Sequence, residues 1–185
     1  MSHHMISPVM KALLIAVVVA APCLAQEPKQ EPKQEPRQEP VGCDKFKWPL
    51  DKERATLTGT DLPKLASGAS VTFPIPWASI VTLAPFADAK LPVAPERAPK
   101  SPTSYAGFLQ VGAPAKAGTY KITLSSEGWI DVVQDGHAVK STAFSGAPGC
   151  EGVRKSVKFD FAAKPLTIEL SSVPDNTIKI AVSPE

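Results

Sequence analysis

Histidine, cysteine and closely spaced carboxylates carry most of the chemistry a small chain can do, and here they are few. The 185 residues hold three histidines and three cysteines. His3 and His4 precede a stretch that reads as an export leader, which leaves His137 as the one imidazole expected in the mature protein. A zinc protease, a multi-histidine copper centre and a two-histidine, one-carboxylate iron centre each need more than that from one chain. A Ser-His-Asp triad needs a single histidine, but no GxSxG elbow is present and His137 sits beside the Asp135-Gly136 turn. Carboxylate chemistry stays open, because Glu127, Asp131, Asp135 and Glu151 are close enough in sequence to meet as an acid–base pair or as oxygen ligands for calcium. Against both stand the missing DxDxDG loop and the ordinary solvation of acids on turns and strand exteriors. No catalytic set, metal site or cofactor is expected.

Aromatic residues are the remaining handle. Trp48, Trp77 and Trp129, with Tyr105 and Tyr120, could form a platform on which sugars stack, each offering a broad apolar face. Tyr120 alternates with core residues and is expected to be buried. Trp77 follows a proline at a strand entry and Trp129 lies out of phase with Ile130, so these two are better placed for exposure. The ligand-binding candidates are therefore Trp77, Trp129, His137 and Tyr105, and the competing fate for each aromatic is core packing or plugging a strand end.

The elements that must hold these residues follow from the leader onward. Residues 1–25 contain Lys11, the apolar run from Ala12 to about Pro22, and small residues before Gln26, the pattern of a cleaved signal peptide. That run is shorter than the roughly 20 residues a spanning helix needs. No integral membrane segment is expected after cleavage, and the location is periplasmic or secreted. Acylation at Cys23 is the competing reading, with Pro22 where a small residue belongs. Residues 26–40 repeat EPKQ, EPKQ, EPRQ, EP. Proline at every fourth position removes hydrogen-bond donors and favours extended polyproline II, so this segment reads as a linker or as a tail left by repeat expansion. The mature chain is nearly neutral, which argues against nucleic acid as a partner.

Residues 41–185 suit one domain. Cleavage leaves two cysteines, Cys43 and Cys150, far apart in sequence, and in an oxidising compartment they read as a disulfide. Period-2 alternation marks strands at GTYKITLS, SVKFDFA, PLTIELS and TIKIAVS, and the last three read as a meander. Asp135-Gly136 between WIDVVQ and HAVKS is a type I′ hairpin signal. RATLTG, ASVTFPI, ASIVTLA and SYAGFLQV are further strand candidates, and no window shows a sustained helical stripe. The expected fold is all-β, an antiparallel, jelly-roll-like sandwich. Residues 84–104 carry five prolines and no periodicity, and are expected to cross the sandwich as an ordered surface loop, a binding role being the lesser alternative.

The stretch GTYKITLSSEGWIDVVQDGHAVKSTAFSGAPGCEGVRKSVKFDF, with CDKFKWPL before it, resembles a family of small exported bacterial proteins of unknown role. Some of its members carry the label homogentisate dioxygenase. Enzymes of that name are far larger and hold iron through two histidines and a glutamate; with His137 alone and no HxH pair, none of their residues carries over. GTYKITLSSEGWIDVVQDGHAV also resembles, more loosely, the strand-turn-strand core of PA14-type and galactose-binding-like sandwiches, which implies a fold that commonly binds glycans. The expected function is a non-catalytic binding or accessory module of the cell envelope that contacts a glycan or protein partner. The alternatives are an enzyme, a cupin-type oxygenase or a hydrolase using His137, and a structural envelope protein.

Overall fold

The computed structural model describes residues 40–72 and 77–185. The leader, Cys23, the linker up to residue 39, and residues 73–76 lie outside the described residues. In chain order a short helix, α1 (Asp51–Leu57), precedes β1 (Lys64–Ala66), β2 (Ser70–Val71), β3 (Trp77–Thr82), β4 (Ala84–Pro85) and β5 (Tyr105–Val111). Then follow β6 (Gly118–Leu124), β7 (Trp129–Gln134), β8 (His137–Val139), β9 (Ser141–Gly146), β10 (Lys155–Phe161), β11 (Leu166–Val173) and β12 (Thr177–Pro184).

These strands form an all-β sandwich. One sheet runs in the order β1-β3-β12-β6-β10-β9, the other β2-β5-β11-β7-β8, with β4 paired to β5. The period-2 pattern explains the layering. Ile122 and Leu124, Val157 and Phe159, Ile168 and Leu170, and Ile178 and Ile180 turn inward from four strands and are buried in one core. Full burial of each such side chain is worth about 1.5–3 kcal/mol. Tyr120 joins them as expected, stacked on Phe161 with ring centroids 5.1 Å apart. The Asp135-Gly136 hairpin also forms, with φ of 52° and 76° as a type I′ turn requires.

Three expectations need correction. SVKFDFA, PLTIELS and TIKIAVS are strands, but not a meander: β10 and β12 belong to one sheet and β11 to the other. Each connection is an arch between layers. The sheets are not wholly antiparallel either, since β1 pairs with β3 and β2 with β5 in parallel. RATLTG is no strand, because its first four residues complete α1, which buries Glu53 and Leu57.

Helix α1 covers the outer face of the first sheet. Leu50 and Leu57 pack there with Ala78 of β3, Ala181 of β12 and Val153, and Phe46, Trp48 and Leu62 close the rim. Glu53 is held beneath by Lys121 Nζ at 2.7 Å and by the Ser183 hydroxyl at 2.5 Å. The Cys43–Cys150 disulfide forms beside this cluster, with Cα atoms 4.6 Å apart. Among the described residues no helix is long and apolar enough to cross a membrane.

Candidate functional site

The outer face of the second sheet is where the chemistry collects. Alternation that sends Ile130 and Val132 of β7 and Ile168 and Leu170 of β11 into the core sends Trp129, Asp131, Glu169 and Ser171 outward. Register sets Glu169 opposite Asp131 and Ser171 opposite Trp129. Directly opposed residues on paired strands place their Cβ atoms about 4.5–5.5 Å apart, so the two carboxylates are immediate neighbours.

Residues 89–104 cross this face as a strap. Each proline lacks an N–H to give a ladder, and the strap is fastened by its remaining N–H groups. Val93 N–H donates to Glu169 Oε1 at 2.8 Å and Glu96 N–H to Asp131 Oδ2 at 3.4 Å. Lys100 N–H donates to Ser172 Oγ at 3.2 Å. Ser172 sits at a bulge in the β11–β5 pairing with φ of 55°, an uncommon conformation for a residue with a side chain, and it is the strap's third anchor. The expected loop over residues 84–104 is thus an ordered crossing from residue 89 on, fixed by backbone-to-side-chain bonds, whereas residues 84–88 form β4 and a 3-10 turn instead.

The strap seals Glu169 and leaves Asp131 half-buried. Glu169 is only 1% exposed, and its Oε2 has no hydrogen-bond partner among the described residues. Burial pushes the Glu169 carboxyl above its ordinary value; the Val93 N–H opposes this and the charge of Asp131 adds to it. Burial likewise raises Asp131, against the pull of the Trp129 and Glu96 donors. Both groups are therefore occupied in holding the strap.

Trp129 lies at the strap's edge. Its Nε1–H donates to Asp131 Oδ1 at 2.9 Å, which fixes the half-buried indole in orientation. The Arg97 guanidinium lies 4.0 Å from the ring centroid and Lys155 Nζ 5.2 Å from it. Lys155 comes from β10 in the facing sheet, donates to the Gly128 carbonyl at 2.5 Å, and stands 5.5 Å from the Phe144 ring on edge strand β9. Phe144 is 50% exposed, a rarity among the described large apolar side chains. The result is a surface row, Arg97, Trp129, Lys155, Phe144, in which cations and rings alternate. Burial depresses the Lys155 ammonium; Glu127 opposes that, and Lys100, Arg154 and Arg97 add to it.

The other expected contacts lie elsewhere. His137 is exposed and pairs with Gln134 at the far end of β7 from Trp129. Five residue steps lead from Trp129 to Gln134 along the strand, about 17 Å at 3.3 Å each. Trp77 belongs to β3 in the other sheet, packs against the main core, and has a buried Nε1 without a partner among the described residues. Tyr105 also packs against that core, from β5. The structure therefore does not gather Trp77, Trp129, His137 and Tyr105 at one place. Asp131 meets Glu169 rather than Asp135 or Glu151, and Glu127 pairs with Arg154.

An open groove of about 540 Å³ adjoins the strap on the same face, between Val71, Val93, Gln110, Val133 and Leu166. It is lined without any aromatic ring, so a sugar would find nothing there to stack on. Among the described residues no three histidine, cysteine, aspartate or glutamate side chains come close enough to hold a metal. Comparison of the chain with protein-family models, curated proteins and solved structures finds no match.

Proposed function

We propose that this protein is an exported, non-catalytic binding module of the cell envelope whose ligand is a glycan. The observation that carries this reading is the fixed, half-exposed indole of Trp129 within a row of rings and cations. A locked aromatic face costs little entropy to use and suits the apolar side of a sugar ring, while neighbouring cations meet its oxygens. Export rests on the leader pattern of residues 1–25. A binding role rather than catalysis is supported by the fate of the acids: Asp131 and Glu169 accept strap N–H bonds, and His137 stands at the other end of β7.

The test is calorimetric titration of the mature protein with a panel of envelope and exopolysaccharide oligomers. Binding that is lost in Trp129→Ala and kept in His137→Ala is the expected result. Stoichiometric iron in the purified protein, turnover of homogentisate, or binding that depends on His137 would overturn the reading.

A further inference from the structure

The residues around Trp129 say more than that a sugar binds. Arg97 and Lys100 are exposed, and neither has a carboxylate within ion-pair distance among the described residues; the same holds for Lys155, whose one polar contact there is a carbonyl. Arg154 is the exception, paired with Glu127. Glu127 is the strongest single charge acting on Lys155 and favours its ammonium, while Lys100, Arg154 and Arg97 each oppose it more weakly. Like charges kept this close repel, and a fold maintains them at a cost unless something anionic joins them. Asp131 lies within electrostatic reach of Arg97 but spends its oxygens on the Glu96 N–H and the Trp129 Nε1–H, and Glu169 is 1% exposed beneath the strap, so neither makes an ion pair with these cations.

The geometry around Arg97 adds the chemical class. The Arg97 Cζ lies 4.0 Å from the Trp129 ring centroid, and no hydrogen bond from its guanidinium N–H groups is found among the described residues, which leaves that fork to a ligand. That fork matches a carboxylate, or a sulfate or phosphate ester, through two parallel hydrogen bonds. Lys155 supplies a second positive point between two rings. A ligand that answers this arrangement carries an anionic group within one sugar's width of an apolar face.

We infer that the ligand is an acidic saccharide, held by Arg97 and Lys155 through its anionic substituent and by Trp129 and Phe144 through its ring. This inference rests on the glycan reading above, and the following titration separates the two. The full mature protein is titrated with oligogalacturonides, their fully methyl-esterified form, a sulfated oligosaccharide of equal length, neutral dextran oligomers, and poly-glutamate. Oligogalacturonides or the sulfated oligomer are expected to bind, with affinity that falls as salt rises. The better of the two identifies the anionic group as carboxylate or as ester. Arg97→Gln is expected to weaken binding about three- to tenfold while moving the melting temperature by no more than a few degrees, since its side chain is exposed and its contact with the Trp129 ring is an exposed cation–π pair. If methyl-esterified and neutral oligomers bind as tightly as the acidic ones, the acidic inference fails and the glycan reading stands. If no saccharide binds, both fail. If poly-glutamate binds as well as the saccharides, charge alone is being read and the inference is overturned.

Discussion

Glu169→Gln is the sharpest probe of the strap. The substitution removes the charge, keeps the shape, and leaves Oε1 to accept the Val93 N–H bond, which is 2.8 Å in the wild type. In the wild type this carboxyl is 1% exposed, and its Oε2 has no partner among the described residues. Leaving a buried polar group unsatisfied costs about 1–3 kcal/mol. Because burial raises the folded-state pKa above the ordinary 4.5, the unfolded chain releases this proton first as pH rises. Wild-type stability therefore declines as pH climbs past that value, until the folded carboxyl also ionises. The glutamine variant lacks this contribution. Between pH 4 and pH 7 the stability difference between the two proteins should shift in favour of glutamine, each kcal/mol of the shift reading as about 3 °C in Tm. Urea unfolding followed by circular dichroism at four pH values measures it, and taking the difference across pH cancels effects peculiar to the glutamine amide. A difference that does not move with pH, or that moves in favour of the wild type, would refute the account of a charge sealed under the strap.

Glu53 should behave in the opposite sense. Burial pulls its carboxyl up, but the Lys121 and Ser183 bonds outweigh burial and leave it below its ordinary value. The stability it confers is present above 4.5 and lost as pH falls through the depressed value. Glu53→Ala strands the Lys121 ammonium, whose side chain is 15% exposed, and should cost about 3–5 kcal/mol at pH 7 by urea unfolding. Reducing the Cys43–Cys150 bridge, with its sequence separation of 107, should lower stability by about 2–5 kcal/mol, read as the midpoint shift between oxidised and reduced protein in urea. Phe144→Ser should leave stability within about 0.5 kcal/mol, as expected of an exposed site, while weakening saccharide affinity by calorimetry.

The strands were legible because each buries one face against a core and leaves the other to solvent, so Val157, Phe159 and Phe161 announce themselves by alternation. Their partners were not. Four residues separate β10 from β11, a reach of about 13 Å, which is enough to turn a hairpin within a sheet or to span the roughly 10 Å between layers. Connection length alone cannot choose between them, and the meander expectation failed there. Helix α1 escaped because seven residues give less than two full turns of periodicity. Its available signals were Leu50, Glu53 and Leu57 at helical spacing and acids in the first turn.

Of the site, Trp129 and the crossing loop could be read in advance, and so could the Cys43–Cys150 pair. Arg97, Phe144, Lys155 and Glu169 could not, since they come from the strap, β9, β10 and β11 and meet only through the pairing of strands distant in sequence. Asp131 was singled out with the wrong neighbours for the same reason: its partner is set by the β7–β11 register, not by proximity along the chain.

The central claim is that Trp129 is the ring that meets a sugar. Its indole N–H, bonded to Asp131, should have its own resonance in a nitrogen–proton correlation spectrum, apart from those of Trp48, bonded to Ser156, and Trp77 in the core. Titration with oligogalacturonides should shift the Trp129 indole signal while those of Trp48 and Trp77 stay in place. Shifts confined to Trp48, Trp77 or the residues around His137, with Trp129 unmoved, would contradict the account.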